Sequence, residues 1–483
     1  MTSKIKKNYY YNLIYQILTI TLPLITTPYV SRVLGSDGVG IFSFTNSVNS
    51  YFILFGVLGT AMYGAREIAY CQGDAKERSM VFWQLNIVRW IATSISMFVY
   101  YFTCICSNDY SLYYLIFTIQ IFASALDISW YFQGMEKFKS ITIRNLIIKI
   151  ISTASIFVFV KNPDDLWLYI LIYCCGNALS NILLWALIPN TIEKAKITKN
   201  GVVRHIRPIF LMFLPQAMTE LYSTLDKAML GVLSDDISEV GIYEQSQKLE
   251  KFSLSVVTAL APVMASRMAS LYSENKIREM REKLKKSFHF MWLLSLPIAC
   301  GIFAISPNLV PWFLGGSFLR AIPVMQVGVV LIVAIAISTT IGRQYLIPTR
   351  KQKSFTISVM VGMFTNLILN ALLIPRYKAM GAIVASVLAE CSVAGVQMFF
   401  IKKILRIRDI FSTSIKCIIG GLVMLLIVFM AGQYLPQNLL GTVVQVFIGI
   451  TSYSLILLLL RDKMAVEILT GVVNKIKNVV HRN

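Results

Sequence analysis

Charge is scarce in this chain. Only 14% of its 483 residues are Asp, Glu, Lys or Arg, against about 25% in ordinary soluble domains. Histidine is scarcer still, at three. His205 and His289 lie in or beside basic stretches, and no metal-ligand pattern or nucleophile–base arrangement forms around them. Long polar segments are missing too. No stretch between apolar runs exceeds about 25 residues, too few for a soluble catalytic domain of about 50 residues or more. No Gly-rich loop ends in Gly-Lys-Ser/Thr, so the chain carries no phosphate loop of its own. The eight cysteines are scattered, with Cys104, Cys174, Cys300 and Cys391 inside apolar runs and Cys174-Cys175 adjacent. They make neither a disulfide framework nor a zinc site. A membrane enzyme is disfavoured, and no cofactor is expected.

What the chain has is apolar length. Hydrophobic residues make up 56% of it, in continuous runs of about 18 residues or more, each able to cross a hydrocarbon core of about 30 Å as a helix. The runs do not alternate residue by residue, which excludes a barrel. The fold class is therefore all-α, a polytopic membrane protein of about fourteen spans. The first six cover about 10–34, 41–63, 80–106, 111–134, 141–160 and 166–188. The next six cover about 208–233, 241–266, 287–304, 321–347, 355–374 and 380–401, and the last two about 413–431 and 439–460. The basic start (Lys4, Lys6, Lys7) leads into an apolar segment without a small-residue cleavage site, a retained first span rather than a signal peptide.

The cations report topology. With the N-terminus in the cytoplasm, 33 of the 45 Lys and Arg fall in cytoplasmic segments, 8 within spans, and only Lys161, Arg320, Arg376 and Lys378 outside. That asymmetry places both termini in the cytoplasm. The net charge of +21 then faces anionic lipid, and no nucleic-acid partner is expected.

The chain repeats itself. Val39-Gly40-Ile41-Phe42 returns as Val240-Gly241-Ile242-Tyr243 at an offset of 201, and Arg66 returns as Arg267 at the same offset. Lys139-Ser140-Ile141-Thr142-Ile143 is echoed by Lys353-Ser354-Phe355-Thr356-Ile357 at 214. Two diverged halves with unequal loops account for the drift. The expected division is an N-terminal lobe at 1–206 (spans 1–6), a C-terminal lobe at 207–404 (spans 7–12), and 405–483 holding spans 13–14 and a cytoplasmic tail. Duplicated halves with charges between them suit a transporter. Pro23 and Pro28 in span 1 and Pro215 in span 7 point to paired kinks.

Charges inside spans cost about 2.5–3.5 kcal/mol each at the bilayer centre, so they pair, snorkel or line a wet cavity. Arg343 and Lys416 are near enough to the cytoplasm to snorkel. Glu244 and Lys248 have the i,i+4 spacing of an ion pair. Arg89, Lys149, Glu220 and Glu390 lie too deep to snorkel. Arg32, Arg66, Arg89, Lys149, Lys227 and Arg267 are the candidate substrate-binding cations, suited to a phosphate or pyrophosphate. Asp127, Glu220, Asp226 and Glu390 are the candidate ion-coupling carboxylates. Aromatics such as Tyr9-Tyr10-Tyr11 read mainly as an interfacial belt.

Arg32-Val33-Leu34-Gly35, Gly38-Val39-Gly40-Ile41-Phe42-Ser43, Leu58-Gly59-Thr60 and Tyr63-Gly64-Ala65-Arg66-Glu67-Ile68-Ala69 resemble the N-terminal signature of bacterial Wzx-type polysaccharide-unit flippases. These belong to the multidrug/oligosaccharidyl-lipid/polysaccharide exporter superfamily, with lipid II flippases and multidrug and toxin exporters as relatives. The motif resemblance is strongest over about residues 8–80. It implies two six-helix lobes around a cavity, in a bacterial cytoplasmic membrane. It also implies alternating access that moves an undecaprenyl-pyrophosphate-linked oligosaccharide between leaflets, for capsule, exopolysaccharide or O-antigen. A polysaccharide polymerase and a chain-length regulator would be partners. Arg32 and Arg66 are motif positions; Arg89 and Lys149 rest on depth alone. The alternatives are a multidrug/cation antiporter of the same fold, which expects an acidic cavity, a membrane-embedded polysaccharide polymerase, and a structural membrane protein without transport.

Overall fold

The computed structural model describes residues 3–106, 109–188, 192–193, 195, 197–402, 404–412 and 414–467. For 3–20, 138–140, 215, 219 and 223 it describes the backbone alone. The Pro215 ring, the Lys139 and Ser140 side chains and the tail beyond 467 therefore lie outside the described residues. Every regular element among the described residues is a helix. Eleven helices there are long and apolar enough to cross a membrane. Two of them, Thr21–Tyr70 and Gln352–Ile401, are 50 residues long, more than twice the roughly 20 that one crossing needs.

The chain divides into two compact units. Unit 1 takes in 1–232 and 236–241. Its helices are α1 (Ser3–Val57), α2 (Thr60–Tyr70), α3 (Ala75–Tyr100), α4 (Ser111–Ala125), α5 (Ser129–Gly134), α6 (Phe138–Phe159), α7 (Leu166–Ala186) and α8 (Lys199–Leu233), with the first turn of α9 (Ser238–Thr258). This division follows packing and places α8 with the first six spans; the boundary at 206 follows the repeat.

Glycines set the course of α1 and α2. The helical run of α1 breaks at Gly35, with φ 67° and ψ −176°, a conformation cheap only without a side chain. The expected loop between spans 1 and 2 is thus a single-residue break. Leu58 and Gly59 (φ 47° and 74°) then redirect the chain into α2. A Cβ on Gly64 would stand 2.5 Å from the Trp130 ring, so α2 lies flat on an indole. That indole belongs to a core with Phe82, Leu85, Ile128, Tyr131 and Phe132. Asp74 caps α3, its carboxylate accepting from the Lys76 and Glu77 amides at 2.8 and 3.1 Å, worth about 1 kcal/mol. Thr93 and Ser96 donate across to the Gly56 and Phe52 carbonyls at 3.2 and 2.6 Å, joining α3 to α1.

Unit 2 takes in 233–235 and 242–483. It holds the rest of α9, then α10 (Ala261–Ser273), α11 (Ile277–Phe313), α12 (Ala321–Ile341), α13 (Gln352–Ile401), α14 (Ile407–Phe411), α15 (Ser414–Tyr434) and α16 (Leu439–Leu459). α13 breaks at Lys378 (φ 52°, ψ −129°), three residues after Pro375, in the expected loop between spans 11 and 12. α11 packs against α12, α15 and α16. Side chains staple it to α15 and α16: Asn308 donates to the Gly432 carbonyl at 2.7 Å, Trp312 to the Thr442 hydroxyl at 2.8 Å, and Tyr453 to the Leu293 carbonyl at 3.2 Å.

Gly64→Ala should overpack the Trp130 contact and cost about 1–3 kcal/mol, seen as a lower thermal midpoint of the detergent-purified chain. Gly73→Ala, with nothing within 4 Å of its added carbon, should leave the midpoint unchanged.

Candidate functional site

The second half of α1 and α8 lie side by side in unit 1. A Cβ on Gly231 would fall 2.1 Å from the Phe44 ring, and one on Gly59 would stand 3.0 Å from the Phe213 backbone. Between these contacts Tyr51 faces Thr224. Rising numbers on one helix meet falling numbers on the other, so the two run antiparallel. This register sets Glu220, Asp226 and Lys227 of α8 against the last turns of α1, around Tyr51.

A polar cluster forms there. Glu220, Asp226 and Lys227 are all within electrostatic reach of the Tyr51 ring. Asp226 is buried and Lys227 and Glu220 are half-buried. Asn49, fully buried on α1, donates to the Gln120 carbonyl of α4 at 2.9 Å. Gln120 and Asn177 of α7 flank the Tyr173 hydroxyl, and Lys227 is within reach of that ring as well. Four helices therefore bring neutral and charged polar groups to one place in an apolar bundle, with Lys227 felt by both tyrosines. Hydroxyls, amides, two carboxylates and a cation offer donors and acceptors to a hydroxyl-rich ligand, and Lys227 is the group there that can meet an anion. Tyr51, Asn49, Gln120, Tyr173 and Asn177 were invisible to a reading that followed charge alone. The signal that finds them is the cost of any unsatisfied polar group in lipid, which applies to Asn and Gln as well.

Arg89 and Asp127 are brought together elsewhere. α4 stops at Ala125 and α5 starts at Ser129, freeing carbonyls inside the bundle. Asn181 donates to the Ala123 carbonyl (2.8 Å), Trp90 to Ala125 (3.1 Å), Trp185 to Leu126 (2.7 Å), and Arg89 Nη1 to the Asp127 carbonyl. The Asp127 carboxylate accepts from the Ser129 amide at 2.9 Å and lies 3.9 Å from Arg89 Nη2. Arg89, 1% exposed, thus satisfies a broken helix and faces the negative end of its dipole.

The other candidates are dispersed. Arg66 is exposed, paired with Glu67 at 3.0 Å and set over the Tyr63 ring at 5.1 Å. Arg32 on α1 and Arg267 on α10 are exposed, Lys149 is half-buried on α6, and Glu390 is half-buried on α13. The repeat becomes a contact in unit 1. A Cβ on Gly40 would meet the Ile237 carbonyl at 2.1 Å, and one on Gly241 the Ser36 carbonyl at 2.2 Å. Both pairs are reciprocal under the offset of 201, so the first turn of α9 meets its own echo.

Unit 2 contains an apolar groove of about 640 Å³ between α11, α15 and α16, with Leu294, Pro297, Gly301, Met424, Ile450 and Tyr453 in its walls. It is of small-molecule size and offers almost nothing for a polar ligand to bind.

Residues 5–271 match the family model described as polysaccharide biosynthesis protein. The chain is 22% identical over 403 residues to a putative O-antigen transporter of Escherichia coli, covering 82% of this chain and 97% of the relative. It is 24% identical over 232 residues to a probable low-salt glycan biosynthesis flippase, Agl15, of Haloferax volcanii, covering 47% and 48%. In structure it resembles lipid II flippase MurJ in an inward closed conformation, with a TM-score of 0.69 at 16% identity over 93% and 99% of the two chains. An inward-facing multidrug exporter of the MATE family gives 0.61 at 12% identity over 81% and 95%.

Arg89→Ala should strip a half-buried carboxylate and a broken helix end of their cation, at about 1.5–3 kcal/mol. The expected outcome is a marked fall in folded protein recovered from the membrane. Lys149→Ala, at a site with no such duty, should leave recovery near wild type.

Proposed function

The chain belongs to the polysaccharide biosynthesis protein family, and on that premise we propose that it is a flippase for lipid-linked oligosaccharide units. The cargo is an undecaprenyl-pyrophosphate-linked repeat unit destined for O-antigen, capsule or exopolysaccharide. Similarity to a putative O-antigen transporter and to a probable glycan biosynthesis flippase supports this reading, as does the resemblance in fold to a lipid II flippase. The single observation that carries it is chemical. The polar cluster of unit 1 offers hydroxyls and amides to a sugar and Lys227 to a phosphate, the two parts of a glycan head group.

On this reading Lys227 meets the pyrophosphate, with Glu220 and Asp226 on the same stretch of α8. Arg32, Arg66 and Arg267 are exposed cations that gather anionic head groups. Lys149 and Glu390, each half-buried in its own unit, would serve as further polar groups for the cargo, and Arg89 with Asp127 holds the helix break of unit 1. The chain would cross the cytoplasmic membrane fourteen times with both termini inside, and lobes 1–206 and 207–404 would exchange access between leaflets. A polymerase and a chain-length regulator would take up the delivered unit.

A strain lacking the gene should accumulate single lipid-linked units that an outside-only glycan probe fails to label, and should lose surface polymer. Normal labelling of those units would reject the function. Lys227→Ala removes charge-assisted hydrogen bonds worth about 1.5–3 kcal/mol, so surface polymer should fall about tenfold or more at unchanged membrane level.

A further inference from the structure

Unit 2 carries a polar anomaly outside the sites above. Glu250 on α9 is 4% exposed, and its Oε1 meets no hydrogen-bond donor from the protein. The carboxyl lies against the backbone of α12 at Gly328. A Cβ there would stand 1.8 Å from Oε1, 2.6 Å from Cδ and 3.0 Å from Oε2. Only glycine leaves that space, so α12 is notched where the carboxyl sits.

One turn back on α9, on the same face, Gln247 presents a second acceptor without a donor, its Oε1. The amide end of Gln247 is fixed, since Nε2 donates to the Tyr243 hydroxyl at 2.6 Å, and that hydroxyl is 3.0 Å from Ser386 Oγ on α13. Gln247 and Glu250 line one small cavity of about 50 Å³, walled by Leu254, Leu331, Ile332 and Ile335, with Lys251 at its edge. α12 presents no charge to it. Lys251 is exposed, Lys248 projects from the opposite face of α9, and Glu390 stands one turn beyond Ser386 on α13.

Two acceptor oxygens facing one apolar cavity lack the same thing, a donor. An ionised carboxylate there would be far costlier than a neutral acid. A single proton removes both problems, because it neutralises Glu250 and supplies an O–H that can point at Gln247 Oε1. We propose that Glu250 is a proton-binding site, held as the neutral acid while α9 and α12 are packed at Gly328 and deprotonated when they part. On parting, the O–H bond breaks, the proton passes to water as hydronium, and the carboxylate keeps the electron pair. Protonation then stabilises the packed state, which links a proton gradient to helix movement. That link to transport rests on the flippase reading; the proton site does not.

The test is infrared difference spectroscopy on the full chain in lipid nanodiscs. At about pH 7 an ordinary glutamate, with a reference value of about 4.3, is ionised. The wild type should show a carboxylic-acid carbonyl band there that Glu250→Gln lacks, and Gly328→Ala, which evicts the carboxyl from its notch, should lose the same band. Glu250→Asp guards against misfolding of the first variant and should keep an acid band at a shifted frequency. Identical spectra for wild type and Glu250→Gln overturn the proposal. Loss of the wild-type band on adding sodium at fixed pH also overturns it, because the site would then hold a metal cation. The spectrum needs no substrate. An ionised Glu250 in an active flippase therefore rejects the proton site alone, whereas a protonated Glu250 in a chain that moves no glycolipid rejects the flippase reading alone.

Discussion

Close approach between the second half of α1 and α8 is the constraint on which unit 1 depends. In lipid, apolar side chains gain nothing by leaving the solvent, because the solvent is itself apolar. Helices associate through tight van der Waals packing and polar contacts, and small residues let backbones approach. Gly231 under the Phe44 ring and Gly59 against the Phe213 backbone fix both ends of this pair. Once the ends are fixed, register is fixed, and Tyr51 must face Thr224. The charges of α8 then have no freedom to turn to lipid. Their surroundings must be polar, and Asn49, Gln120, Tyr173 and Asn177 supply that polarity from three further positions.

The break between α4 and α5 follows the same rule from the other side. A helix interrupted inside a membrane leaves carbonyls that water cannot reach, each costing several kcal/mol if unmet. Here four are met by side chains of α3 and α7: Arg89 and Trp90 from the first, Asn181 and Trp185 from the second. Three indole and amide donors are neutral. The fourth is a guanidinium because the break also exposes the Asp127 carboxylate. Depth alone therefore does not distinguish a cation that waits for a substrate from one that completes the fold.

Much of this architecture was legible in the sequence, for identifiable reasons. Apolar length gave the spans, because hydrocarbon thickness demands it. The gaps expected between spans 1 and 2 and between spans 11 and 12 contain the breaks at Gly35 and Lys378. The echo of Val39-Gly40-Ile41 in Val240-Gly241-Ile242 was legible as letters, and the structure turns it into a reciprocal backbone contact that no larger residue permits. The interruption at 126–128 was not legible. Ala125-Leu126-Asp127-Ile128 holds no glycine or proline, and what stabilises it are donors 35 to 59 residues away. The polar cluster was half legible. Charges announced themselves, while Asn, Gln and Tyr passed as ordinary because their cost is set by surroundings that only packing reveals.

The two units handle intramembrane charge in opposite ways. In unit 1, opposite signs stand side by side on α8, Asp226 next to Lys227 with Glu220 two turns away, and aromatic hydroxyls surround them. There each charged group has neighbours of the opposite sign and polar side chains within reach. In unit 2, Glu250 stands in an apolar notch with one exposed lysine near it and no hydrogen-bond donor on Oε1. Desolvation dominates there, and the neutral acid is the stable form. A glycolipid head group needs a permanently charged partner to recognise its pyrophosphate. A driving ion needs the reverse, a group whose charge changes with helix position. On the proposed reading Lys227 answers the first requirement and Glu250 the second, and the surroundings of each decide which it can meet.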